Sequence, residues 1–236
     1  MTTQTQPTRA LLACGVLAGP MYVTVTMIEA LTREGFDLRH HRFSWLTTGD
    51  LGWIHQANMV LVGVLTLLLA IGVSRMLRTG RGAVWGPRLL ALLGVAYLVG
   101  GLLRADPVVG FPPGTTPEMV QHTWHGAVQN ASRSASTLFL IAASVVFAAR
   151  FAAEGRRGSA WFFGAAIPAV FAVLTAVGLA IGFNGAGLAF LMTPWIWVTA
   201  LAVYLYRRDA SQSQAPGEAS LGWTMSRLPS EKPPTA

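Results

Sequence analysis

The uncharged runs of this chain limit its fold more than any motif does. No Asp, Glu, Lys or Arg occurs from Ala10 to Ile28, from Trp53 to Val73, or from Trp161 to Tyr206. About 20 apolar residues coiled as a helix cross the roughly 30 Å hydrocarbon core of a bilayer. Lipid offers the backbone no hydrogen-bond partner, so a spanning segment must be helical or belong to a closed barrel. The alternating ten-residue segments of a barrel are absent. The sequence therefore predicts an all-α, polytopic membrane bundle of six transmembrane helices. They run from Ala10 to Leu31, Trp53 to Met76, Trp85 to Leu103, His122 to Phe151, Trp161 to Phe183 and Leu188 to Tyr206. Composition agrees. Only 11% of residues are charged, against roughly 25% in soluble domains, and mean hydropathy is +0.49.

Residues 1–9 form a short N-terminus, 10–206 the membrane domain, and 207–236, rich in Ser, Pro, Gly and Ala, a tail expected to be disordered. Pro20, Pro168 and Pro194 fall inside spans, where neighbouring helices can satisfy the freed carbonyls. Cys14 stands alone in the first run, so no intrachain disulfide can form. "LLAC" resembles a lipoprotein processing site, but the apolar stretch before it is too short, and a retained first helix is expected.

A net charge of +7 would suggest nucleic acid in a soluble protein. Here the basic residues lie in short connections between spans, where they act as orientation signals, and no nucleic-acid partner is expected. With six spans, both termini and the second and fourth connections share one side. That side holds 12 of the Lys and Arg residues and the other holds 5, namely Arg33, Arg39, Arg42, Arg104 and Arg133. The positive-inside rule then puts both termini in the cytoplasm of a multi-pass cell-membrane protein.

All five His residues, and Glu29, Glu34, Asp37, Asp50, Asp106 and Glu118, fall on the opposite, outward side. So do the two long connections, residues 32–52 and 104–121. Long connections without structure of their own are often functional. The second carries Pro107, Pro112, Pro113 and Pro117, which stiffen it, and it reads as a cover over the bundle end.

In the fourth span, His122, His125, Gln129, Arg133 and Ser136 recur every three or four residues, forming one helical face. A cation at membrane depth costs about 2.5 kcal/mol or more unless paired or hydrated. Arg133 should thus face the bundle interior and meet Glu29 or Asp106; the alternative is snorkelling to the interface. His55 and Asn58, three apart in the second span, can complete a polar pocket with that face. Asp50 is expected to cap the second helix. Asp106, His122 and His125, with His55 or Asp50, have the ligand chemistry for zinc or a similar transition metal. The same groups can equally form a hydrogen-bonded vestibule, and no cofactor is assigned.

"GVLAGPMYV", "GWIHQANMVLVG", "ADPVVGFPPG" and "TWHGAVQN", in this order and spacing, resemble the bacterial and archaeal six-helix membrane family catalogued as domain of unknown function 998. The likeness covers Ala10 to Tyr206. It implies the fold and the membrane, and little about activity. Relatives often look like His-Gly-x-x-His at the start of the fourth helix. His125 and Gly126 match, but Gln129 stands at the second His, which weakens a metal-hydrolase reading.

The expected function is binding. An outward polar pocket of Glu29, His55, Asn58, Asp106, His122, His125, Gln129 and Arg133 would take a lipid headgroup or small molecule. The alternatives are an outward-facing metal-dependent hydrolase using Asp106, His122 and His125, and a small-solute transporter. Ser-nucleophile motifs, phosphate-binding Gly loops and dinucleotide fingerprints are absent.

Overall fold

The computed structural model of the chain describes residues 5–181 and 185–225. It is helical throughout, with one isolated bridge between Val108 and Phe111 and no strand among the described residues. The helices are α1 (Thr5–Thr32), α2 (Gly52–Met76), α3 (Trp85–Leu102), α4 (Trp124–Ala153), α5 (Arg157–Trp161), α6 (Ile167–Ala180) and α7 (Gly185–Met225). A π-helical turn, Phe162–Ala166, joins α5 to α6, so these two pieces form a single span. Six helices are long and apolar enough to cross a membrane.

Successive spans alternate in direction and close a ring. α1 packs on α2, α2 on α3, α3 on α4, α4 on α5 and the π turn, α6 on α7, and α7 back on α1. The core inside this ring includes Leu12, Leu69, Leu90, Phe147, Trp195 and Trp197. α2 and α3 approach closely because glycines face each other. A Cβ on Gly63 would stand 2.8 Å from the Gly94 carbonyl oxygen, and one on Gly94 would stand 2.9 Å from that of Gly63. Small residues drive such packing where lipid removes the hydrophobic drive between helices.

α1 and α7 run through Pro20 and Pro194. Pro168 is different. The π turn directly precedes it, and the Trp197 indole donates to the Phe163 carbonyl at 2.9 Å. A carbonyl loosened from the regular ladder thus finds a donor on the neighbouring helix. Past the turn, α6 packs on α7 and makes no substantial contact with α4.

Two expectations from the sequence change. α4 begins at Trp124, leaving His122 in the extended approach to the helix. The α2 N-terminus is not capped by Asp50: Leu51 holds the cap position with no side-chain hydrogen bond. A tight backbone turn does the work instead, with the Gly52 and Ile54 amides donating to the Gly49 and Leu51 carbonyls at 3.1 and 3.0 Å. The stretch from Arg207 continues as helix to Met225, and residues 226–236 lie outside the described residues. Its start is anchored, since Arg208 pairs with Glu154 at 2.7 Å and Asp209 with Arg9 at 3.1 Å.

The connection between α1 and α2 includes a 3₁₀ turn, Phe43–Thr47, and folds against the α3–α4 connection. Ala30, Leu46 and Phe111 form a small buried core between them, flanked by Phe36, Phe43 and Val108. Arg33 braces it, donating to the Leu46 carbonyl at 3.0 Å and to the Thr48 carbonyl, with its guanidinium over the Phe111 ring. The two connections thus cover one end of the bundle. The opposite end gathers Arg9, Arg75, Arg78, Arg150, Arg156 and Arg208; the ion pairs above hold Arg9 and Arg208, and Arg150 donates to the Thr79 and Arg81 carbonyls.

Candidate functional site

Under the first connection lies a cavity of about 330 Å³. α1 lends it Tyr22, α2 His55 and Met59, and α3 Leu93, Ala96 and Tyr97. α4 contributes Gln129, Ser132, Arg133, Ser136 and Thr137, α7 contributes Leu191 and Pro194, and the first connection supplies Arg42, Phe43 and Ser44. The walls are mostly apolar. Two guanidiniums line it and no carboxylate does, among the described residues. Arg42 and Arg133 are near enough for their charges to repel.

Spacing explains the α4 face. Gln129, Ser132, Arg133 and Ser136 lie three or four residues apart and share one side of the helix, as the sequence predicts. Gln129 is buried and its amide donates to Thr47 Oγ1 at 3.2 Å. The same hydroxyl oxygen accepts from the Ala105 amide at 2.9 Å and donates to the Ser44 carbonyl at 2.8 Å. Thr47 therefore stitches α4 and both connections together at the cavity's edge. Ser132 and Ser136 turn their hydroxyls back to carbonyls of α4.

Aromatic rings build the inner wall. Tyr22 and Tyr97 meet edge to face at 5.5 Å, and both pack on Trp195 at 5.1 and 4.8 Å. Behind the wall, His55 Nδ1 and Glu29 Oε2 are 2.8 Å apart, and both residues are buried. The Arg33 guanidinium stands 3.9 Å from the other Glu29 oxygen. Burying an acid at this depth is tolerable only because it has these partners.

The remaining candidates separate into other roles. Asn58 faces α1, donating to the Tyr22 carbonyl at 3.1 Å and Thr26 Oγ1 at 3.3 Å. Asp106 holds the start of α4. It accepts from the Thr123 hydroxyl at 2.6 Å and from the Thr123 amide, while Thr123 Oγ1 accepts from the Gly126 amide at 3.1 Å. The Asp106 carboxyl fills the space where a Cβ on residue 126 would stand, 2.3 Å away, which is why residue 126 is glycine. Glu29 is engaged by His55 and Arg33, and Asp106 by Thr123.

The candidate metal set does not come together among the described residues. His122 is almost fully exposed, with Nδ1 4.0 Å from Asp106 Oδ2. His125 points outward and stacks on Trp124, ring centroids 3.7 Å apart. No three His, Cys, Asp or Glu side chains come together as ligands among the described residues. Zinc needs three or four donors at about 2.0–2.2 Å. α4 starts at Trp124, so His122 lies outside the helix, and Trp124 and His125 in its first turn are exposed.

Sequence reasoning missed Tyr22, Arg42, Ser44, Thr47 and Tyr97. The tyrosines look like ordinary apolar-run residues. Arg42 and Ser44 reach the cavity only because their connection folds back over the bundle, and no local pattern encodes that return.

No curated protein and no solved structure matches the chain. The model of one family matches residues 16–204, nearly the whole membrane bundle and every residue of the cavity, and the chain belongs to that family, described as Protein of unknown function (DUF998).

Proposed function

We propose that this is a multi-pass cell-membrane protein whose loop-covered cavity binds an amphipathic molecule carrying an anionic group. The observation that carries the reading is the cavity's charge. Arg42 and Arg133 line a space that is otherwise mostly apolar and, among the described residues, has no carboxylate on its walls. An anion there would relieve the repulsion between two guanidiniums, and Arg is suited to carboxylate or phosphate oxygens through its forked donors. Tyr22, Leu93, Tyr97 and Leu191 would hold the apolar part. Ser44, His55 and Gln129 also line it and supply further polar atoms. The positive-inside rule places the arginine-rich end, with both termini, in the cytoplasm and the cavity toward the outside. The weak packing between α4 and α6 supports an approach from the bilayer as well as from water.

Thermal stability in neutral detergent tests the reading, with oleate and lysophosphatidic acid as anionic probes and monoolein as the neutral one. The anionic probes should raise the melting temperature of the wild type and monoolein should not. Arg133→Ala and Arg42→Ala should each lose most of that rise. Equal stabilisation of wild type and both variants would remove the arginines, and with them the proposal.

A further inference from the structure

The end of the bundle opposite the cavity carries a second feature of a different kind. A groove of about 590 Å³ lies between α5, the π turn and α7. Its rim is basic, with Arg156, Arg207 and Arg208. Its floor is apolar and aromatic, with Phe162, Phe163, Ala200 and Val203. We propose that this groove binds the phosphate headgroup of an anionic glycerophospholipid from the leaflet at this end, its acyl chains running down the floor.

Three observations support the assignment. The first is preorganisation. Arg156 donates to the Tyr204 hydroxyl at 2.6 Å, and its guanidinium lies over the Tyr204 ring at 5.7 Å. Tyr204 is itself wedged against Phe151 and Phe163, centroids 4.9 and 5.8 Å away. A guanidinium held this way loses little freedom on meeting a phosphate. The second is charge. The nearby acids are already engaged, Glu154 by Arg150 and Arg208 and Asp209 by Arg9, so they leave the field of Arg156 and Arg207 positive. The third is the floor. The π turn sets the Phe162 and Phe163 rings nearly perpendicular at 5.0 Å and lays Phe162 outward beneath the arginines. Single π turns inside helices are frequent at functional sites. Water-soluble phosphate has no use for that apolar surface, whereas a lipid does. Basic pockets between transmembrane helices are established headgroup sites in general.

The site is separate from the loop-covered cavity, so the two ideas stand or fall independently. Full-length protein in neutral detergent is mixed with equal amounts of dioleoyl phosphatidylglycerol and dioleoyl phosphatidylcholine, and retained lipid is counted by native mass spectrometry. The wild type should enrich phosphatidylglycerol by roughly tenfold or more, the scale set by two arginines near an anionic surface. Arg156→Gln/Arg207→Gln should abolish the enrichment. Arg75→Gln/Arg78→Gln, which removes the same charge elsewhere at this end, should keep it. Should the first double variant fail to fold, Arg207→Gln alone, exposed on the rim, should lower the enrichment several-fold. Equal enrichment in every variant would mean diffuse charge attraction and would overturn the site. Loss of phosphatidylglycerol to millimolar inorganic phosphate, or no lipid preference in the wild type, would overturn the lipid assignment.

Discussion

Asp106 and Gly126 show how one short signature divides its work between two residues. Helix propensity alone favours alanine over an interior glycine by about 0.5–1 kcal/mol. Here the Asp106 carboxyl occupies the space a Cβ would take, so Gly126→Ala should destabilise the protein, by about 1–2 kcal/mol, the worth of the cap it displaces. In an Asp106→Ala background the same change should turn neutral or stabilising. Thermal melts of the four proteins read this coupling directly, and additive effects would disprove it. His41 carries a pH signal. It sits among Phe36, Trp45 and Phe111, with centroids 5.3–5.6 Å away, and its Nδ1 accepts the Asp37 amide at 3.0 Å. Burial lowers its affinity for a proton, opposed by the Asp37 carboxylate and helped by His40. A lowered histidine favours folding while it stays neutral. Its contribution is therefore complete above the ordinary value of 6.5 and is lost as pH falls below it. Stability should drop as pH falls below about 6.5, and His41→Phe should reduce that drop. Identical pH profiles for both proteins would assign the effect elsewhere.

At the scale of elements, the ring of helices depends on where backbones touch. Gly63 and Gly94 bring α2 and α3 together, each with the other's carbonyl where a Cβ would go. Backbone cannot yield as a flexible side chain can. Gly94→Leu should separate the helices and cost about 3 kcal/mol or more, within the range of severe overpacking. Leu92→Ala, on the exposed side of α3, is the matched control and should change little. A melt showing the two variants alike would contradict the close-packed interface. The π turn before Pro168 is the element-scale answer to a proline in a span. It bends the fifth span off α4, and Trp197 recovers one carbonyl. The helices themselves are legible from apolar runs, to within a few residues at most ends. The turn is not, because it depends on a donor from α7.

For the molecule as a whole, sidedness is the property on which the cavity's meaning depends. In a Cys14→Ala background, a cysteine replacing Glu118 should react with a membrane-impermeant maleimide added to intact cells. One replacing Arg81, at the other end, should react only after lysis. The reverse pattern would invert the orientation drawn from the charge split. The class, the number of spans and the distribution of charge between the two ends follow from sequence alone. The reason is that bilayer physics acts locally: each span must satisfy its own backbone and exclude its own charges. The alignment of Gln129, Arg133 and Ser136 on one face is also local, being helical periodicity. The company those residues keep is not. Tertiary structure decided that His125 turns outward, that Asp106 serves Thr123, that Glu29 meets His55, and that Arg42 returns over the bundle to face Arg133. Each of these depends on helix rotation and on how two connections pack on one another, interactions between residues distant in the chain that no run or spacing records.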